Sequence, residues 1–248
     1  MDLDSFKTQI VVESNKFRLG PKLLQLQKQT EGSAVKISKI KNANGAVVPQ
    51  LGESPVSLLD IDSVVVFPLT LKLPILFSAE NFEDNDLNGI FQKSLKETFH
   101  FADIENRLVI DTLIVGAGKN ITSENKPNVR EVPILDNFIA AMKFIEGNGY
   151  APKIILINPD IAESLRQRDE LKEKLVAYAT EVMINVAVPS GTIIILDNAH
   201  AGQFIERVSL EVNDFADHWN GKKGFLLRER VAPVVTNGDA IAIIKDGN

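Results

Sequence analysis

The chain has 248 residues, a net charge of −6, 44% hydrophobic and 24% charged residues, a globular composition sufficient for one large domain or two small ones. The acidic balance excludes tight, non-specific nucleic-acid binding through an overall basic surface, and the absence of cysteine excludes disulfides, thiol catalysis and thiolate metal sites. His100, His200 and His218 are the only histidines and no two share the i, i+4 spacing that sets two ligands on one helical face, so no metal site is expected.

No apolar run reaches about 18 residues and no basic-then-apolar leader opens the sequence; neither a membrane span nor a secretory signal is expected, and the cytoplasm is the expected place of synthesis. The first 33 residues are mixed and polar, with "KLLQLQKQTEG" as their apolar cluster, and read as an arm that needs a surface to lie on. From Ala34, "AVKISKI" and "VSLLDIDSVVVFPLTLKLPILFS" alternate as strands do, with the turn residues "NANG" between them, predicting a long hairpin or loop. An isolated two-stranded ribbon is marginal in water, so this one requires support.

A helix is predicted from Asp86 to Leu113, with Ser78, Asp84 and Asp86 as capping oxygens. Leu87, Ile90, Phe91, Leu95, Phe99, Ala102, Leu108, Val109 and Leu113 form a broad stripe opposite Lys93, Lys96, Asp103 and Arg107, on a rod of roughly 40 Å. Glu105 and Asn106 interrupt the stripe and have no account unless they meet another chain. The loop "GKNITSENKPNVREV" leads to a second helix from Leu135 to Glu146, ended by Gly147 and Gly149. A buried strand "KIILIN" then runs to Pro159, which opens the helix "DIAESLRQRDELKEKLVAYA", with a break near Asp169. From Val182 the chain is β-rich: "VMINVAV", "TIIILD", "FIERVSLEV", "GFLLRERVAPVV" and "AIAII". "VPSG" reads as a strand-entry turn and "HWNGKKGFLLRER" as a solvated strand pair.

"LIVGAGKN", Leu113 to Asn120, has the ingredients of a phosphate loop but fails its pattern. Leu113 stands at the first glycine position and Asn120 at the Ser or Thr position, while Ile121 occupies the third glycine of the dinucleotide fingerprint. The glycines also follow a helix instead of joining a strand to one. The carboxylate pairs Glu83–Asp84 and Glu211–Asp214 sit beside predicted turns or helix starts, where capping explains them. There is no Gly-x-Ser-x-Gly elbow, and Asn120-Ile121-Thr122 is a sequon without meaning unless secreted. No catalytic constellation is present, and no enzyme activity, cofactor or metal is expected.

The order of these parts resembles the major capsid proteins of tailed bacteriophages, whose fold is named after phage Hong Kong ninety-seven and is shared with encapsulins. "LKLPILFSAENFEDNDLNGIFQKSLKETFHFADIENRLVI" resembles the family's strand, acidic turn and spine helix, and "VGAGKN" its closing glycine turn. "LDNFIAAMKFIEGNGYAPKIILINPDIAESLRQ", "VPSGTIIILDNAHAGQFIERVSLEV" and "LLRERVAPVVTNGDAIAII" resemble its later elements, with Arg230 and Ala240 at recurrent positions. The resemblance implies an α+β phage major capsid fold: an N-terminal arm (1–33), an extended β loop (34–66), a peripheral domain with the spine helix (67–117 and 206–248), and an axial α/β domain (118–205). It implies a homo-oligomer of hexamers and pentamers closing an icosahedral shell around double-stranded DNA held without sequence-specific binding. A separate scaffolding protein, a portal and assembly in a host cytoplasm go with it; a membrane does not. Glu53, Glu83, Asp84, Gly116, Gly118, Pro159, Asp197 and Arg230 are the positions expected to be critical for assembly or folding. Some relatives cross-link a loop lysine to an asparagine; Lys36, Lys39, Lys41 and Asn237 are available, but no pattern marks a pair and no cross-link is expected. An encapsulin-type compartment shell is the alternative, and a nucleotide-binding α/β enzyme the third reading. An arm and extended loop would raise the exposed area of this 27.3 kDa chain above the roughly 11,000 Å² of a compact monomer.

Overall fold

The computed structural model describes residues 3–29, 32, 34–42, 60–78, 87–123, 132–166, 181–217 and 220–246. Residues 43–45 of the "NANG" turn, Glu53, Glu83, Asp84, the expected break near Asp169 and His218 lie outside the described residues. The chain begins with helix α1 (Leu3–Phe17), the single turn α2 (Gly20–Leu23) and strand β1 (Gln25–Lys28). A ribbon of β2 (Val35–Asn42) and β3 (Asp60–Val66) precedes β4 (Leu69–Ser78) and the long helix α3 (Leu87–Gly116). Then come β5 (Lys119–Ser123), α4 (Val132–Gly147), β6 (Ile154–Ile157), α5 (Pro159–Arg166) and β7 (Glu181–Ile184). The described chain closes with β8 (Thr192–Leu196), β9 (Gly202–Asp217), β10 (Lys222–Val235), a 3-10 turn (Gly238–Ala240) and β11 (Ile241–Asp246).

Among the described residues these strands make a four-stranded sheet, order β1-β9-β10-β4, a five-stranded sheet, order β5-β11-β8-β6-β7, and the β2-β3 ribbon. The three inner strands of the five-stranded sheet, β11, β8 and β6, are apolar on both faces, and their residue parity shows why. Ile154, Leu156, Ile194, Leu196, Ile241 and Ile243 face one core with Val109, Ile110 and Leu113 of α3. Ile155, Ile157, Ile193, Ile195, Ala242 and Ile244 face the other, against Phe138, Ala141, Met142 and Ile145 of α4. Strands covered on both sides read as continuous apolar runs, which is what "KIILIN", "TIIILD" and "AIAII" are.

That pattern corrects the division expected for the chain. Residues 241–246 were expected with the spine helix, but β11 lies between β5 and β8 in the five-stranded sheet. Its two apolar faces can be buried together only in a central strand. Gly202–Ile205, expected in the axial domain, instead begin β9 of the four-stranded sheet and run parallel to β1.

Helix α3 spans 30 residues, about 45 Å, and extends to Gly116 instead of ending at Leu113. It packs against the inward row of β10, where Phe225, Leu227 and Val231 are buried. The N-terminal segment also differs from a free arm. Phe6 and Ile10 of α1 join Phe101, Phe225 and Leu227 in one core, and Leu19, Leu23 and Leu24 enter another beside Val109 and Phe204. Burial of these side chains supplies the support that the arm was expected to seek elsewhere, at roughly 1.5–3 kcal/mol for each large one.

The ribbon roots on the opposite face of the four-stranded sheet, where Val35 and Ile37 pack on Ile205, Ala232 and Val234. The chain exposes 14729 Å², well above the value of about 11,000 Å² for a compact monomer of its mass.

Candidate assembly site

The ribbon leaves the body through Phe67 and Pro68, between β3 and β4. Arg230, on β10, donates from Nε to the Pro68 carbonyl at 3.1 Å, tying the pivot to the sheet beneath. Two register shifts between β10 and β9, at Arg228/Arg230 and Arg230/Val231, fall at this level. Bulges of this kind bend a strand and re-aim its side chains. Around the pivot Val65, Phe67 and Leu69 are exposed, Phe67 by 65%. A second exposed apolar group joins α1 to α3, where the rings of Phe17 and Phe99 lie 4.2 Å apart. A third is at the edge strand β7 and beyond it: Val182, Ile184 and Val186. Apolar surface collected in patches marks interaction sites more often than scattered exposure does.

The other expected positions serve local structure. Gly116 and Gly118 were expected to let the backbone turn, yet neither has a positive φ. Close approach is the reason for both. A Cβ on Gly116 would meet the Val235 side chain at 2.5 Å, and one on Gly118 would meet the Gly238 carbonyl at 2.8 Å. Gly118 N–H is itself bonded to Gly238 O at 2.8 Å, and β5 follows at once. The Gly118 amide that a phosphate would need is thus engaged in joining the helix end to the turn before β11.

Pro159 is the first residue of α5, as expected. The preceding Asn158 accepts from Asp160 N at 3.0 Å and donates to Val188 O at 2.6 Å. Asp197, 1% exposed, closes β8. Its carboxylate accepts from Ala151 N at 3.2 Å and Ala199 N at 3.0 Å and meets His200 Nδ1 at 2.8 Å. Burial alone would raise its pKa, but the His200 contact and the two amides outweigh burial and hold it below the usual carboxylate value. Asn237, considered as a cross-linking partner, accepts from Asp239 N at 3.2 Å and caps the 3-10 turn. Glu211 and Asp214 were expected beside a turn; both lie within β9, paired with Arg228 at 3.4 Å and Lys7 at 2.8 Å. Among the described residues no group of three or more His, Asp or Glu forms a metal site.

The most unusual chemistry is at residues the sequence reading did not select. Arg18, 4% exposed, sits between α1 and α2. Its Nε donates to Glu105 at 2.5 Å, and its other nitrogens lie 2.9 Å from Glu229 and 3.4 Å from Glu206. Asn106 bonds Leu19 N–H at 2.8 Å and Phe17 O at 3.0 Å. Glu105 and Asn106 therefore meet the N-terminal segment of their own chain, not a neighbour. Their break in the apolar stripe was the available signal; so was Glu229, standing in line with Phe225, Leu227 and Val231.

No protein-family model matches the sequence, and no curated protein matches it. Solved structures do. A virus-like particle from Pyrococcus furiosus superposes with a TM-score of 0.76 at 16% identity, covering 98% of each chain. The Mycobacterium phage Bobi structure gives 0.75 at 12%, covering 93% of this chain and 91% of that one. The capsid of a native GTA particle gives 0.68 at 15%, covering 94% and 90%. Over nearly its whole length the chain has the α+β phage major capsid fold of the Hong Kong ninety-seven type.

Proposed function

We propose that the chain is a structural shell subunit, a major capsid protein that self-assembles as hexamers and pentamers into an icosahedral shell around double-stranded DNA. The carrying observation is the near-complete match to capsid-type folds, together with apolar patches at the ribbon pivot, the α1–α3 seam and the β7 edge that the chain leaves uncovered. Neighbouring copies are the partners those patches fit, since a ribbon and an edge strand gain from intermolecular cover. A net charge of −6 suits a container that holds DNA without gripping it. A separate scaffold, a portal and a place in a virion assembled in a host cytoplasm belong to this reading. Enzyme activity does not.

Electron microscopy of the expressed protein tests it: closed shells are expected, and a monomer that never assembles under any condition would sink it. The encapsulin-type reading is favoured by the 98% mutual coverage with the Pyrococcus furiosus virus-like particle. Nuclease-protected DNA inside purified shells separates the first reading from a cargo protein inside the second. Tight ATP or NAD binding by calorimetry would revive a nucleotide-using enzyme, for which Gly116 and Gly118 provide no free amides.

A further inference from the structure

Four ionisable groups from four elements converge beneath the spine helix: Arg18 from the α1–α2 elbow, Glu105 from α3, Glu206 from β9 and Glu229 from β10. Three more groups touch them. Lys28 of β1, largely exposed, lies 4.0 Å from Glu206, and Ser209 donates to Glu206 at 2.9 Å. Asn15 accepts from Arg18 at 3.0 Å. With every carboxyl ionised, three negative charges would face one buried positive charge. One added proton changes the sum: Arg18 and Lys28 then balance two carboxylates. The geometry says where that proton belongs. Glu105 and Glu229 lie on neighbouring nitrogens of the one Arg18 guanidinium, within hydrogen-bonding reach of each other; Glu105 also accepts from the Gly20 backbone N–H, whereas Glu229 Oε1 is a buried oxygen with no other hydrogen-bond partner. Two carboxylates cannot bond; a carboxylic acid and a carboxylate can.

Arg18 stands between the two stretches of the N-terminal segment that enter apolar cores, one through Phe6 and Ile10 and one through Leu19, Leu23 and Leu24. An open cleft of about 370 Å³, lined by Asn15, Arg18, Lys28, Glu206 and Ser209 among others, opens the Arg18–Glu206 side of this group to the surface.

We propose that the Arg18 elbow is a proton-gated latch: one proton held between Glu105 and Glu229 keeps residues 3–24 docked on the spine helix, and its loss releases them while the rest of the fold stands. Release ionises a carboxylic acid to water, so nothing but a proton is exchanged. Burial and the charge of Glu105 raise Glu229 from the ordinary 4.5 to about 9, against the opposing pull of Arg18. Once released, the carboxyl returns to its ordinary value. The docked state therefore holds the proton more tightly, docking is strongest below pH 4.5, and it weakens progressively as pH rises toward about 9. This inference stands apart from the shell reading and is tested on the unassembled full chain.

With no native cysteine, Gln9→Cys and Lys93→Cys can carry a donor–acceptor dye pair across the exposed surfaces of α1 and α3. Energy transfer is expected to stay high at acidic pH and fall at least twofold toward pH 10 at unchanged circular dichroism. Glu229→Gln and, separately, Glu105→Gln should each keep transfer high over the whole range, because an amide donates the bond that the proton provides. Transfer that stays high in the wild-type chain at pH 10 overturns the latch. So does opening of both variants alongside the wild type, or loss of circular dichroism together with transfer.

Discussion

The two sheets solve the burial problem in different ways. The five-stranded sheet has apolar residues on both faces, and its central strands meet helices or the first sheet with no charge between them. The four-stranded sheet meets the spine helix and N-terminal segment across a layer that contains Arg18, Glu105, Glu206 and Glu229, along with Ser14 and Ser94, whose buried hydroxyls have no hydrogen-bond partner. Charges in such a layer cost several kcal/mol each to desolvate, and their mutual attraction returns little more than that. A seam built this way specifies one docking position without adding much stability, whereas the two-faced sheet adds stability directly.

Mutations that act on one region and spare the other should break this contrast most sharply. Arg18→Ala leaves Glu105 and Glu229 without their buried cation and should cost about 3–5 kcal/mol, read by denaturant unfolding. Replacing Arg18, Glu105, Glu206 and Glu229 together with apolar residues of similar volume should be neutral or raise stability by about 1–4 kcal/mol; a large loss would show that the seam stabilises after all. Leu156→Ala, in the two-faced sheet, should cost about 2–5 kcal/mol at every pH from 5 to 10, and strong pH dependence of that loss would blur the distinction. Gly116→Ala, at the junction of the regions, should cost about 1–3 kcal/mol by overpacking, and Val235→Ala should recover part of it, since Val235 is the side chain in the way. The smallest effect is expected at the pivot: Arg230→Met should cost about 1 kcal/mol while raising amide exchange near Pro68 and altering shell diameter or closure in micrographs.

The sequence disclosed the two-faced sheet well, because a run such as "TIIILD" has few other homes. It disclosed the peripheral layer poorly, for reasons visible in single residues. Glu105 and Asn106 were noticed as breaks in a helical stripe, but their partners, Arg18 and the backbone of Phe17 and Leu19, lie 87 to 89 positions away. Nothing local encodes that distance. Glu229 shares the parity of Phe225 and Leu227, yet parity alone fits either an inward charge or a bulged strand, and β9 opposite it is in fact bulged. Gly116 and Gly118 were expected to turn the backbone, whereas their close approach depends on Val235 and Gly238, far along the chain. Arg230 was marked by resemblance alone; its bond to Pro68 required the fold.

Strand β11 sits between β5 and β8 and follows both in the chain, pairing Ala242 with Lys119 and Ile195. During synthesis, β5 and β8 emerge first and must wait with bare edges until residues 241–246 leave the ribosome. Pairings that span so much chain close slowly, and unpaired edges invite mispairing between molecules. A subunit cannot present a finished five-stranded sheet to its neighbours until this late strand is inserted. Until then the open edges of β5 and β8 are the places where two nascent subunits would mispair.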